Sequence, residues 1–243
     1  MYSLVVRNLK SVIAAGGLGT RLQNFRGNQS TKILLDVNGI PMINRQIIQL
    51  RDWGCQDFVI ITNPEFEDLI KKVTTEAFPS INLNFATQNE PKGISHALKQ
   101  AEVHVEKDEK ILFILGDNFF EKNPISDFDF SQYKKGSYIF TKSVNNPEEF
   151  GVAQMDSNGN VVSIDEKPIA PKSDLAVVGI YIFDETVFEK IDTLSPSSRG
   201  EYEITDLCNI YVQENTCRNF IIDGWWIDAG TPDRIIELEE KLS

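Results

Sequence analysis

The stretch VIAAGGLGTRL, residues 12–22, runs four apolar residues into a turn with glycines at 16, 17 and 19 and an arginine at 21. Glycines at a strand-to-helix turn bare backbone N–H groups, and an arginine beside them makes a cradle for an anion such as phosphate. A tight turn built for packing is the plainer reading of the glycines taken alone. The chain has no G-x-x-x-x-G-K-[ST] segment, and Gly17–Leu22 lacks the third glycine of a dinucleotide fingerprint, so neither a P-loop nor a nicotinamide site is indicated. ILFILGDNFF, residues 111–120, delivers Asp117 at the end of an apolar run, where a carboxylate suits Mg²⁺ carried with a phosphate ligand, or simply caps the next turn. DEKP, residues 165–168, places Lys167 before a rigid proline exit and is otherwise a solvated charged turn. GWWIDAGTP, residues 224–232, sets Asp228 beside two tryptophans, where an unpaired carboxylate is costly and demands a cation, either a metal or a nearby Arg or Lys. SSRGEYEITD, residues 197–206, reads as a polar entry into a helix.

These residues must be held by elements, and the elements are legible. Val12–Ala15, Phe58–Ile61, Asn82–Thr87 and Ile111–Leu115 read as strands, the last apolar on every residue. Between them, 42–53, 65–78 and 93–103 carry helical spacing. Strands apolar on both faces and separated by helices indicate a parallel sheet covered on each side, with ligands at the carboxyl ends of its strands. The second half is richer in strands, at 137–143, 151–155, 161–166 and 177–183, with helices at 203–213 and 232–242. No linker or repeat separates the halves, and one central sheet is expected to span both.

The 243 residues carry 36 Asp and Glu against 24 Lys and Arg, a formal charge of −12 that argues against a general nucleic-acid binder. It leaves room for anionic small substrates where cations cluster locally. Three scattered cysteines form no C-x-x-C pair and point to free thiols in a reducing compartment, hence a cytoplasmic protein. The N-terminus is too short in apolar length for a signal peptide, and no run approaches the ~20 residues of a membrane helix. Two histidines cannot build a His-rich metal site; His96 follows a glycine turn and is the one placed to approach a ligand, while His104 reads as surface.

Taken together, AGGLGTRL at 15–22 followed by Lys32, GDN at 116–118, EKP at 166–168, VVGIYIFD at 177–184, RGEYEITD at 199–206 and the W-x-D-x-G-T stretch at 226–231 resemble the sugar-1-phosphate nucleotidyltransferases, in particular the glucose-1-phosphate thymidylyltransferases. The resemblance covers the chain from about residue 10. It implies a three-layer α/β/α, Rossmann-like nucleotide-diphospho-sugar transferase fold with a mixed, mostly parallel sheet. One domain, 1–243, would comprise a nucleotide-binding half at about 10–120 and a sugar-phosphate half at about 121–243. It implies that Ala15, Gly16, Gly17, Gly19 and Thr20 cradle the triphosphate, with Arg21 and Lys32 on its phosphates. Gln88 and Gly93 would read a pyrimidine edge, and Asp117 and Asp228 would hold Mg²⁺. Gly151, Glu166 and Val178 would contact the sugar, and Lys167 and Arg199 its phosphate. Asn24, Thr31 and Asp36 stand where the family usually has prolines.

The implied reaction joins a nucleoside triphosphate, dTTP or UTP in the first place, to a sugar 1-phosphate such as glucose 1-phosphate, releasing pyrophosphate. The attacking phosphate oxygen is already ionised at neutral pH, so no general base is required. The obstacle is repulsion, about 4 kcal/mol per pair of unit charges at ~4 Å and an effective dielectric of 20, which Arg21, Lys32, Lys167 and Mg²⁺ would offset. GTP- or CTP-dependent relatives are the nearest alternatives. Asp127 and Asp129 form a D-x-D of the kind a glycosyltransferase would use, and a non-catalytic nucleotide-sugar binder is the third class. Partners are then small molecules, with no nucleic acid and no membrane, and a homo-oligomer is compatible with the sequence. Longer members of the family continue beyond the 232–242 helix with segments for oligomer contacts and feedback inhibition, and the resemblance does not carry those properties over to this sequence.

Overall fold

The computed structural model describes residues 9–17, 19, 22, 25, 31–130, 132, 133 and 135–243. In chain order, β1 (Leu9–Ala14) leads through a short 3-10 turn, Lys32–Leu34, to a small hairpin of β2 (Asp36–Val37) and β3 (Ile40–Pro41). There follow α1 (Met42–Asp52), β4 (Asp57–Thr62), α2 (Glu67–Ala77), β5 (Asn82–Thr87), α3 (Ile94–Lys99) and β6 (Lys110–Leu115). The second half comprises β7 (Asn118–Phe120), β8 (Ser137–Ser143), β9 (Gly151–Met155), β10 (Val161–Glu166), β11 (Leu175–Phe183), α4 (Val187–Asp192), α5 (Ile204–Gln213), β12 (Cys217–Ile221), β13 (Trp226–Asp228) and α6 (Pro232–Lys241).

Among the described residues nine strands join one sheet. β5, β4, β1 and β6 lie side by side and parallel. β11 pairs antiparallel with β6 through Ile180–Phe183 and with β9 at Ala176, with β10 beyond β9, while β8 pairs with β11 at both of its ends, 175–177 and 181–183, with β12 beyond it. The expected single sheet is thus present, with its all-parallel portion in the first half. Alternation along the buried strands builds two cores. Ile13, Phe58, Ile60, Leu112 and Ile114 face one layer, with Ile43, Ile47, Ile70, Ile235 and Leu238 from α1, α2 and α6. Val12, Val59, Ile61, Ile111 and Phe113 face the other, with Leu98, Phe188, Leu207 and Tyr211 from α3, α4 and α5. That is the three-layer arrangement.

Two helices depart from the sequence pattern. α2 begins at Glu67 rather than 65 because Asn63 Oδ1 accepts the Phe66 N–H at 3.0 Å, holding the chain in a turn through Pro64. α3 ends at Lys99 and gives way to a 3-10 turn at Glu102–His104, where Val103 is 85% exposed and no apolar face anchors a further α turn. No helix among the described residues is long and apolar enough to cross a membrane.

Candidate active site

Chain order runs outward from β1 in both directions, to β4 on one side and β6 on the other, so the sheet reverses its winding between β1 and β6. A crevice opens at the carboxyl ends of strands at such a point. Three of the expected residues arrive there as strand exits: Gly16 after β1, Gln88 after β5 and Asp117 after β6. Backbone bonds lock these exits together: Ala15 N–H to Ile61 C=O at 2.8 Å, Gly116 N–H to Ala14 C=O at 3.0 Å, and Gln88 N–H to Thr62 C=O at 2.8 Å. A cavity of about 260 Å³ results, lined by Gly16, Gly17, Lys32, Gln88, Pro91, Gly93, Asp117 and Glu201 among others.

The glycine turn makes room for Lys32. Gly19 sits at φ +60°, and a Cβ there would fall 2.6 Å from Lys32 Cβ. Thr31 is buried and donates its hydroxyl to Gly17 C=O at 3.1 Å, while Asn63 Nδ2 donates to Gly16 C=O at 3.0 Å. Lys32 Nζ reaches Asp117 Oδ2 in a close ion pair. Burial pushes the Asp117 carboxyl up, but the Lys32 ammonium and the Asn118 amide outweigh it and hold the group below the usual carboxylate range.

Gly93 closes the cavity's far wall at φ +98°, ahead of α3, and a Cβ there would lie 2.8 Å from the Tyr202 carbonyl oxygen and 2.9 Å from its nitrogen. Tyr202 N–H donates to Lys92 C=O at 2.8 Å and Ser95 N–H to Tyr202 C=O at 3.2 Å, so this contact ties the two halves of the chain together. Gly93→Ala is expected to cost at least about 2 kcal/mol from the left-handed backbone and the collision. For a chain of this size that lowers the melting temperature by roughly 4–8 °C, readable by calorimetry.

The remaining expected residues gather on the second half of the sheet. β9 and β10 pair Gly151 with Glu166, and a Cβ on Gly151 would stand 3.6 Å from Glu166 Oε2. Burial, then the neighbouring Glu203, pushes the Glu166 carboxyl up. Arg199 is committed to carboxylates: Nη2 donates to Glu203 Oε2 at 2.8 Å and Glu166 Oε1 at 3.1 Å, and Nε to Glu203 Oε1 at 3.1 Å. Lys167 leaves β10 at φ +44°, its N–H on Phe150 C=O at 3.0 Å and its ammonium 4.0 Å from Glu166 Oε1. Val178 is wholly buried, main chain and side chain alike. It lies in β11 where the register against β8 shifts between Val177 and Tyr181.

Asp117 and Asp228, 111 positions apart in sequence, are carried on facing segments. β7 and β13 pair Asn118 with Asp228, and Ala229 N–H donates to Asp117 C=O at 2.8 Å. Asp228 lines a second hollow with Lys142, Asn146, Phe150, Trp226 and Arg234, separate in its lining from the one that holds Asp117. Asn118, which the sequence reading passed over, links the groups. Its Oδ1 accepts Trp226 Nε1–H at 2.7 Å and Gly179 N–H at 3.2 Å, and its Nδ2 donates to Asp117 Oδ1 at 2.9 Å. The GDN triplet was the available signal, but nothing local reveals partners at 179 and 226. Thr20 and Arg21 lie outside the described residues. Phe128, between Asp127 and Asp129, packs into an aromatic cluster with Phe130, Tyr138 and Phe220, and neither aspartate lines the cavity.

Comparison with known proteins identifies the family and the fold. The chain is 33% identical over 236 residues to a glucose-1-phosphate thymidylyltransferase of Mycolicibacterium smegmatis, covering 96% of this chain and 81% of that one. A glucose-1-phosphate thymidylyltransferase of Neisseria meningitidis is 35% identical, with 94% and 81% covered. The low-salt glycan biosynthesis nucleotidyltransferase Agl11 of Haloferax volcanii is 30% identical, and the chain spans 66% of its length. A Bacillus anthracis crystal structure, described as a glucose-1-phosphate thymidylyltransferase in complex with sucrose, superposes with a TM-score of 0.85 at 36% identity, covering 96% of this chain and 94% of that one. A UDP-glucose pyrophosphorylase solved with UDP-glucose shares the fold at a TM-score of 0.79 and 23% identity, covering 96% and 97%. The family model for nucleotidyl transferases matches residues 10–243, and this chain belongs to that family.

Proposed function

We propose that the chain condenses dTTP or UTP with a sugar 1-phosphate, in the first place glucose 1-phosphate, to give a nucleoside diphosphate sugar and pyrophosphate. The observation that carries this reading is the cavity between β1 and β6, where Gly16, Gly17, Lys32, Gln88, Gly93 and Asp117 meet. The thymidylyltransferases above support it, as does a Haloferax volcanii UTP–glucose-1-phosphate uridylyltransferase, 30% identical with 96% of both chains covered. In this reading the first half, about 10–120, holds the nucleotide and the second, about 121–243, the sugar phosphate. An enzyme of this kind with three buried free thiols fits the cytoplasm.

A phosphate oxygen of the sugar 1-phosphate forms a bond to the α-phosphorus. The bond from that phosphorus to the bridging oxygen breaks, and pyrophosphate leaves with the electron pair. No proton moves in the step, so the protein's task is alignment and charge compensation. Arg21 and Lys32 serve the triphosphate, Lys32 exchanging its Asp117 partner for phosphate oxygens. Lys167 and Arg199 serve the sugar phosphate, and Gly151, Glu166 and Val178 the sugar.

Asp117 and Asp228 would hold Mg²⁺. Among the described residues no group of three or more His, Cys, Asp or Glu side chains forms a metal cluster. Two aspartates from facing segments still fit an ion that takes one or two carboxylates and completes its shell with water and phosphate oxygens. When bound, that ion supplies neutralisation of phosphate charge. A grid of the four pyrimidine and purine triphosphates (dTTP, UTP, CTP, GTP) against sugar 1-phosphates, read by pyrophosphate release, tests the assignment. Turnover is expected with dTTP or UTP and glucose 1-phosphate, and its absence across the whole grid would remove the reading.

A further inference from the structure

Gln88 has one orientation open to it. Its amide end lies 3.0 Å from the Gly93 carbonyl oxygen, which can only accept, so the nitrogen is the atom placed there. The same nitrogen lies 3.0 Å from His96 Nδ1. Since Nε2 can only donate, Nδ1 must carry its lone pair and the imidazole proton must sit on the other ring nitrogen. Both amide hydrogens of Gln88 are thereby spent within the protein. Oε1 has no partner among the described residues and is what the side chain offers to the cavity it lines.

Resting on the function proposed above, we infer that His96 is a positioning residue that fixes the Gln88 carboxamide with its oxygen as the reading end, and so makes the site select uracil or thymine over cytosine. Uracil and thymine carry an N–H at ring position 3 beside a carbonyl, which meets an acceptor. Cytosine carries a lone pair at that position beside an amino group, so two acceptors would oppose each other. A protonated His96 cannot accept from Gln88, and the lock then opens. The groups facing the ring are Glu90 and Lys92 on the segment leading into α3 and Tyr202 ahead of α5, stacked at 6.1 Å between centroids. Burial, with Lys92 adding to it and Glu90 opposing, holds the imidazole below its usual value, which keeps the lock closed at neutral pH.

The test compares kcat/KM for UTP (or dTTP) and CTP, with glucose 1-phosphate, in the full chain. The wild type is expected to favour UTP at least a hundredfold. His96→Phe keeps a ring against Tyr202 but removes the acceptor, and the UTP-to-CTP ratio is expected to fall at least tenfold, mainly through a higher KM for UTP. His96→Asn places an acceptor near the Nδ1 position without the ring and is expected to restore most of the ratio. In the wild type the ratio should also decline as pH drops below the ordinary imidazole range, and in His96→Phe it should stay flat. An unchanged ratio in His96→Phe, or equal losses for both triphosphates with no recovery in His96→Asn, overturns the inference while leaving the enzyme assignment intact. Absence of turnover in the wild type with every triphosphate overturns both.

Discussion

Lys167→Ala lowers turnover at least a hundredfold and leaves the melting temperature within a degree or two of wild type. The side chain is 45% exposed and its ion pair to Glu166, at 4.0 Å, is long and solvent-screened, so its removal takes little from the fold. In the function proposed above, what is lost is a cation beside the incoming phosphate. A hundredfold drop is about 2.7 kcal/mol, within the ~4 kcal/mol that one unit-charge pair contributes at ~4 Å and an effective dielectric of 20. The backbone supports the assignment. A lysine held at φ +44° costs on the order of 1 kcal/mol, and such strain concentrates at working positions. Lys167→Arg keeps the charge and should recover part of the rate. Turnover of the alanine variant within threefold of wild type, measured by pyrophosphate release at saturating substrates, would refute the role.

Asp228→Asn should lose at least a thousandfold in turnover, about 4 kcal/mol. The substitution is nearly isosteric, and the β7–β13 pairing is made by backbone groups, so the fold is expected to hold. It removes one of two carboxylates proposed for the cation, and a bound metal contributes several kcal/mol of charge stabilisation to phosphoryl chemistry. The residual activity should need a higher Mg²⁺ concentration for half-saturation, and chelation should silence the wild type. A variant with wild-type turnover and unchanged Mg²⁺ dependence would show that Asp228 serves another purpose. Asp117 is the poorer probe, since its carboxylate is buried against Lys32 and its loss would disturb folding as well.

What could be read in advance followed from local pattern. The apolar runs at 82–87, 137–143, 151–155 and 161–166 became strands with those same ends, because alternation or full burial marks a strand within its own residues. β7, β12 and β13 were not visible: three to five residues carry no period, and Trp226 is defined as strand by Phe120, 106 positions earlier. α4, at six residues, gave too little periodicity. The site divides the same way. Glycines after an apolar run and an aspartate at a strand exit announce themselves. The His96 grip on Gln88, the Trp226–Asn118–Asp117 chain and the carboxylates that hold Arg199 depend on partners that only the fold brings together.

β6 is bonded to β1 along one edge and to β11 along the other, so hydrogen bonds run without a break across the boundary between the two proposed halves. Bonding continuous in that manner opposes a swing of one half over the other. In the function proposed above, admission of two polyanions and discharge of pyrophosphate would then fall to partner exchange by Lys32 and Arg199, each paired with a carboxylate.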